Sequence, residues 1–164
     1  MRIYRLECSM VAPVSIQRAF AIFEDPYNLA RITPPWLRFR VSSKERVEMR
    51  RGAGIEYTIR WVGVPFSWKT VIVEYEPPDL FVDGQVRGPY RIWRHQHTFR
   101  AVEGGTEIAD RVDYALPFGW LGAAVHNLLV ARQLRGIFEF RQRALAGMMD
   151  AARTSYSSPT IRRL

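Results

Sequence analysis

The strongest constraint on the fold is a run of alternating apolar and polar residues between positions 37 and 116. The segment GIEYTIRWV at 54–62 is representative, because every second residue from Ile55 to Trp61 is apolar and those between are Glu, Thr and Arg. A period of two is typical of strands that bury one face. Turns rich in Gly and Pro separate the segments. We predict an antiparallel meander with strands at 37–43, 54–62, 66–76, 80–87, 90–102 and 106–116.

Helical patterns stand on both sides of this meander. Residues 2–11 predict an opening strand, and residues 14–30 favour two short helices, with Ser15 as a cap and a break at Asp25-Pro26. From residue 120 to about 149, apolar residues recur at threes, fours and sevens, which predicts one long amphipathic helix. Its apolar stripe comprises Leu121, Val125, Leu128, Leu134, Ile137, Phe138, Leu145 and Met148, and its polar face Arg132, Arg135, Arg141 and Arg143.

Length and composition indicate one folded domain followed by a tail. A chain of 164 residues with 48% hydrophobic residues is long enough for a single core. We assign residues 1–149 to that domain. Residues 150–164 are small, polar and basic, so we expect a disordered tail that can be deleted with little effect on stability.

The net charge and its distribution along the chain indicate which partners the protein could bind. The net charge is +8, but the basic residues are scattered and form no polybasic block or nucleic-acid-binding motif, so we predict no nucleic-acid partner. The longest apolar stretch, 118–130, is shorter than the roughly 20 residues of a spanning helix, which excludes a transmembrane segment. Contact of the basic helix face or tail with an anionic membrane or protein remains an alternative.

The N-terminus and the cysteine content suggest a cytoplasmic location. Arg2, Arg5 and Glu7 interrupt the first residues, so no secretory signal is predicted. The single cysteine, Cys8, cannot form an internal disulfide, which suits a reducing compartment. We interpret Cys8 as core filler.

The order of elements predicts an α+β fold in which a curved antiparallel sheet of about seven strands grips the C-terminal helix. Three segments, ITPPWLRFRV at 32–41, FVDGQVRGPYRIWRHQHTF at 81–99 and GGTEIADRVDYALPFG at 104–119, resemble the polyketide cyclase/dehydrase-type branch of the START-like or SRPBCC superfamily, including single-domain bacterial members. The resemblance covers about residues 2–149. It implies the helix-grip fold and a deep pocket for a lipid, polyketide, isoprenoid or other mostly hydrophobic ligand, without implying one reaction.

Aromatic residues agree with such a pocket. The chain has five Trp and nine Phe, and the alternation sets several of them on the apolar faces of their strands. Aromatic rings can line a pocket for an apolar ligand, or they can fill a solid core. The residues that we predict to line the pocket are Tyr57, Ile59, Trp61, Trp68, Trp93, Phe99, Tyr114 and Phe138.

Two histidines share one face of the strand at 90–102. His95 and His97 alternate with Trp93 and Phe99, so both imidazoles should face the cavity, and Asp110 on the next strand should reach one of them. A carboxylate that fixes an imidazole tautomer suits general acid–base catalysis, which makes these three residues candidate catalytic groups. The alternative is a buried network that merely satisfies polar groups.

No metal or cofactor signature accompanies these residues. His95, His97 and Asp110 have acceptable ligand types, but no HExxH or similar motif supports a metal site, and we predict neither metal nor cofactor. The sequence leaves three functions open. The first is binding of a small hydrophobic ligand; the second is a cyclase/dehydratase-like enzyme using these three residues; the third is a basic interaction module. It leaves the oligomeric state undetermined.

Overall fold

The computed structural model describes residues 1–43, 47–61, 63–117 and 126–164, and their fold is α+β. Two α-helices are described, α1 (Ile16–Glu24) and α2 (Ala131–Met148). Short 3-10 helices occupy Pro26–Ala30 and Pro35–Leu37, and a π-helical turn occupies His126–Val130. The strands are β1 (Tyr4–Ala12), β2 (Arg40–Val41), β3 (Gly54–Trp61), β4 (Val64–Glu76), β5 (Leu80–Arg87), β6 (Ile92–Val102), β7 (Gly105–Ala115), β8 (Ser155–Tyr156) and β9 (Thr160–Arg163).

The described strands form one antiparallel sheet in the order β2-β3-β4-β5-β6-β7-β1-β8, and β9 also pairs with β1. Strands β3 to β7 are neighbours both in sequence and in the sheet, because short turns connect each antiparallel pair. The predicted meander and the curved sheet with a long C-terminal helix are confirmed. The sheet has nine described strands where about seven were expected.

Alternation along β1 and β7 sets which side chains enter the core. Every second residue of β1 from Tyr4 to Ala12 is buried, and the same holds on β7 from Thr106 to Tyr114. The register sets Cys8 opposite Asp110. Cys8 is buried, as predicted, and burial raises the pKa of its thiol, so it stays protonated.

The helices after β1 follow the predicted cap and the predicted break. Ser15 Oγ accepts a hydrogen bond from the backbone N–H of Arg18 at 3.3 Å and begins α1. Asp25 ends α1, and its carboxylate accepts from the N–H of Tyr27 at 3.0 Å to begin the next helical turn. The two short helices and the break between them are therefore confirmed.

The predicted strand at 37–43 is much shorter in the structure. Only Arg40–Val41 is a strand, and a 3-10 helix at Pro35–Leu37 precedes it. Arg38 has a φ of 45° and a ψ of 46°, which is the left-handed region and cannot continue an extended strand. Alternation of Leu37, Phe39 and Val41 did not reveal this interruption.

The long helix differs from its prediction in its phase. Residues 118–125, with Leu121 and Val125 of the predicted stripe, lie outside the described residues. Leu128 is 82% exposed, so it does not belong to the apolar stripe. The π-helical turn at His126–Val130 is the reason, because a wider turn shifts the residues before α2 out of register with those after it.

The C-terminal segment corrects the prediction of a disordered tail. Strands β8 and β9 pair with β1, with Met10 opposite Tyr156 and Leu6 opposite Ile161. The side-chain amide of Gln142 on α2 donates to the carbonyls of Ser9 at 2.9 Å and Ser157 at 3.1 Å. The tail is ordered because the free edge of β1 offers backbone donors and acceptors, which low hydrophobicity alone does not reveal.

Candidate functional site

A cavity of about 520 Å³ lies between the concave face of the sheet and α2. Strands β3 to β6 contribute one wall, and α2 contributes another through Leu134, Ile137 and Phe138. Residues at the end of α1, among them Ile22 and Phe23, line part of the remainder. A cavity of this size and apolar character is typical of a small-molecule site.

Five of the predicted lining residues surround this cavity, namely Tyr57, Ile59, Trp68, Trp93 and Phe138. Tyr57 and Trp68 lie on neighbouring strands, and their rings stack with centroids 5.7 Å apart. The ring of Trp93 meets Trp68 edge-on at 5.3 Å. The aromatic wall forms because alternate positions on β3, β4 and β6 point to the same concave face.

Two of the other three predicted residues, Phe99 and Tyr114, lie outside the cavity wall. Phe99 packs into the core beside the cavity, with Phe23 at 5.0 Å and Phe20 at 5.3 Å between ring centroids. Tyr114 is fully buried and stacks on Tyr4. The side chain of Trp61 lies outside the described part of the chain.

Polar atoms interrupt the aromatic wall. The indole Nε1 of Trp68 is not one of them, because it presents no accessible surface to the cavity; it has no hydrogen-bond partner among the described residues. Burial raises the pKa of Tyr57 and of Tyr90, so both phenols stay protonated and can donate. A ligand in the cavity would therefore meet hydrogen-bond donors as well as apolar rings.

His95 and His97 lie side by side on β6, and Asp110 on β7 contacts both. His95 Nε2 is 2.9 Å from Asp110 Oδ1, within hydrogen-bond distance. His97 Nδ1 is 2.8 Å from the same oxygen, but out of line for a hydrogen bond. The imidazoles line the cavity and Asp110 lies behind them. The structure thus brings the three candidate catalytic residues together, with Asp110 reaching both rings.

Asp83 on β5 completes this group, and the sequence analysis missed it. Its Oδ2 lies 3.5 Å from His97 Nε2 and 3.8 Å from His95 Nδ1, on the opposite side of the rings from Asp110. Asp83 lines the cavity. Strand alternation could have identified Asp83, because it shares a strand face with the buried Phe81, two residues earlier. Among the described residues, Asp83, His95 and His97 have donor atoms close enough together to hold a metal ion.

Arg141 supplies the positive charge of the site, which corrects its assignment to the polar face of the helix. The side chain is buried, and its Nε lies 3.7 Å from Asp110 Oδ2. The guanidinium also lies over the ring of Phe23, 5.3 Å from its centroid. An arginine can occupy an apolar helix face where it meets a buried carboxylate, and the helical period alone does not show that partner.

Burial and charge set the protonation of the network. Burial would raise the pKa of Asp110, but Arg141 and the two histidines outweigh this effect and hold it well below its usual range. Burial, with the neighbouring His97, lowers the pKa of His95 to about 4 despite the attraction of Asp110. Near neutral pH the site therefore contains an ionised Asp110 and a neutral His95 imidazole, which can donate at one nitrogen and accept at the other.

A curved antiparallel sheet wrapped over a C-terminal helix, with a cavity between them, defines the helix-grip class. The chain belongs to the family described as polyketide cyclase/dehydrase and lipid transport, whose model matches residues 12–139. The comparison with curated proteins returned no match. Among the described residues, no helix has the length and apolar character required to cross a membrane.

Solved structures share the fold at low sequence identity. Protein CV1439 from Chromobacterium violaceum is 14% identical with a TM-score of 0.69, and the match covers 89% of this chain and 96% of that one. TTHA0849 from Thermus thermophilus is 18% identical with a TM-score of 0.68, covering 91% and 99%. The di-domain ARO/CYC StfQ from the steffimycin biosynthetic pathway is 10% identical with a TM-score of 0.64, covering 92% of this chain and 53% of that one.

Proposed function

We propose that this protein binds one small, mostly hydrophobic molecule in the cavity between the sheet and α2. The proposal rests on a cavity of about 520 Å³ with a wall that is mainly aliphatic and aromatic. Displacing water from such a wall favours an apolar ligand by roughly 25 cal/mol per Å² buried. Lipids, polyketides and isoprenoid-like compounds meet this requirement.

The polar atoms of the wall narrow the ligand class further. A pure hydrocarbon would place apolar carbon against the histidine pair and against Tyr57 and Tyr90, which line the cavity. Buried polar groups left unpaired cost about 1–3 kcal/mol each. The proposed ligand is therefore an apolar skeleton with carbonyl or hydroxyl oxygens that approach His95 and His97.

Native mass spectrometry of the purified protein tests the proposal first, through a co-purifying compound. The second measurement is binding of the fluorescent probe anilinonaphthalene sulfonate and its displacement by fatty acids and aromatic polyketones. Ile137→Trp fills space in the cavity wall and should weaken probe binding about tenfold or more, equivalent to roughly 1.4 kcal/mol. Arg132→Trp, on an exposed position of the same helix, is the matched control and should bind as the parent does.

The binding proposal has a clear contrary result. If no compound co-purifies, and the parent protein and the Ile137→Trp variant bind the probe equally, the cavity is not a ligand site. Loss of folding in Ile137→Trp is detected separately by its melting curve, in which case Phe138→Trp provides a second filling variant at the same wall.

A second candidate function is proton transfer to a ligand in the cavity, as in a cyclase or dehydratase. The observation that favours it is a neutral His95 beside His97 at the cavity wall, backed by the Asp110 carboxylate. One imidazole nitrogen can accept a proton from an activated carbon while the other is held by the carboxylate, and the apolar wall excludes water. Asp110 acts here as the residue that orients the rings.

This chemistry can be tested with an aromatic 1,3-diketone as the probe. The measurement is hydrogen–deuterium exchange at its activated carbon, with a chelator present. His97→Gln keeps hydrogen-bonding capacity and should slow the protein-dependent exchange by about 100-fold. Arg100→Gln, at an exposed position on the same strand, should exchange as the parent protein does. If His97→Gln and His95→Gln lose only stability, by about 1–3 kcal/mol, and exchange is unchanged, the histidines form a structural network.

A further inference from the structure

We propose that Asp83, His95 and His97 form a binding site for one divalent transition-metal cation at the cavity wall. The three residues come from adjacent strands, with Asp83 opposite His95 in the β5–β6 register and His97 two residues further along β6. One donor atom from each lies within 4.8 Å of the others. This inference does not depend on the proposed hydrophobic ligand, because the cation contacts only these three side chains.

The distances are close to those of a metal centre. Metal bonds of about 2.0–2.1 Å in a tetrahedron place two donor atoms about 3.3 Å apart. Asp83 Oδ2 is 3.5 Å from His97 Nε2 and 3.8 Å from His95 Nδ1. Shifts of a few tenths of an ångström would therefore bring Asp83 to the required distance from either imidazole, whereas the two imidazole donors, within 4.8 Å of each other, would have to rotate toward a common point.

Asp110 contacts both rings on the side away from Asp83 and lies within hydrogen-bond geometry of His95. It contacts His95 through Nε2 and His97 through Nδ1, which leaves the opposite nitrogen of each ring directed toward Asp83. Metal-binding histidines commonly donate their remote N–H to a carboxylate, which selects the tautomer that presents a lone pair to the cation. Arg141, 3.7 Å from Asp110, offsets the charge of this supporting carboxylate.

The donor set selects the class of cation. Two imidazoles and one carboxylate suit zinc, cobalt or ferrous ions, whereas calcium and magnesium prefer six or more oxygen donors. Because Asp83, His95 and His97 all line the cavity, the remaining coordination positions face the cavity. A water molecule or a ligand oxygen would occupy them.

Titration of the untagged, chelator-treated full chain with Co²⁺ and Zn²⁺ tests the site. We expect one Co²⁺ per chain with visible absorption bands of a low-coordinate nitrogen and oxygen environment, displaced by Zn²⁺ and not by Ca²⁺. His97→Gln and Asp83→Asn should weaken Co²⁺ binding by about 100-fold or more, and Asp110→Asn by about 10–100-fold. The control Asp79→Asn, at an exposed turn position, should bind Co²⁺ as the parent does.

A measurement on the unmodified chain keeps the proposal testable if the variants fold poorly. Bound Co²⁺ should produce two strongly shifted exchangeable proton resonances, one from the remote N–H of each coordinating imidazole. Any one of three results would overturn the site. They are the absence of stoichiometric Co²⁺ binding, the absence of these resonances, and an unchanged affinity for Co²⁺ in a folded Asp83→Asn variant. Probe binding with and without Zn²⁺ separates this outcome from failure of the hydrophobic ligand proposal.

Discussion

At the scale of single residues, the site depends on charges that are buried together. Asp110 is 5% exposed and Arg141 8% exposed, and neither could be buried alone without a large desolvation cost. Their side chains approach within 3.7 Å across the space between β7 and α2. The same contact supports the imidazoles of His95 and His97, so stability and the geometry of the site are coupled.

Arg141→Met should destabilise the protein by about 3 kcal/mol, because it leaves the Asp110 carboxylate buried without its cation. Urea unfolding of the parent and the variant measures the change. Arg143→Met, at an exposed position on the same helix, should change stability by less than about 0.5 kcal/mol. Equal stability of the Arg141→Met and Arg143→Met variants would contradict the role assigned to Arg141.

A second charge pair predicts a pH effect on stability. Arg5 Nε lies 2.6 Å from Asp113 Oδ1 and Nη2 lies 2.8 Å from Oδ2, and this paired hydrogen bonding lowers the pKa of Asp113. Because the folded pKa is lower than the unfolded one, the stabilisation is present above about pH 4 and is lost as the pH falls through the folded value. Asp113→Asn should remove this acid-dependent part, on the order of 1 kcal/mol, from unfolding curves recorded between about pH 6 and pH 3.

At the scale of secondary-structure elements, alternation and capping account for most of what forms. Strands β3 to β7 end within a few residues of the predicted bounds, because Gly and Pro turns separate segments that each bury one face. Local backbone conformation explains the exceptions. The left-handed Arg38 shortens β2, and the π-helical turn before α2 changes the phase of the helix.

Helix α2 contains a glycine whose replacement should stabilise the protein. Gly136 lies inside the helix, and an added Cβ would meet no atom within 4 Å. Alanine at an open helical position should increase the free energy of unfolding by about 0.5–1 kcal/mol, because it restricts the unfolded chain. Thermal unfolding of Gly136→Ala against the parent measures this gain, and a lower Tm would show that the position tolerates no side chain.

At the scale of the whole molecule, the C-terminal strands close one edge of the sheet. Without β8 and β9, the side of β1 away from β7 would present unpaired backbone groups. Such an edge can pair with another chain, so covering it limits association as well as adding stability. The tail also contacts α2 through Gln142, which links the sheet edge to the helix that borders the cavity.

Deletion of residues 153–164 should lower the unfolding free energy by more than about 1 kcal/mol and promote self-association, because β1 becomes an edge strand. Calorimetry and light scattering measure the two effects. Replacing Arg162 and Arg163 together by Gln removes charge while keeping the backbone pairing, and should leave the oligomeric state unchanged. A truncated chain that melts and migrates like the parent would restore the original expectation of a dispensable tail.

The sequence alone was sufficient for the features that depend on local chemistry. Alternation identified the meander, Ser15 marked a helix start and Asp25-Pro26 the break before the next helix, and the shared face of His95 and His97 followed from their spacing on one strand. These inferences succeed because side-chain direction repeats every two residues in a strand, and because caps act within one helical turn.

Tertiary structure alone decided which distant groups meet. Asp83 lies beside the histidines only because of the β5–β6 register. Arg141 becomes a core residue only because Asp110 faces it. The tail becomes ordered only because β1 has a free edge. Phe99 and Tyr114 share strand faces with cavity residues but pack beside the cavity, where other aromatic rings surround them. Periodicity specifies a face of an element, whereas the partner on that face depends on how the elements assemble.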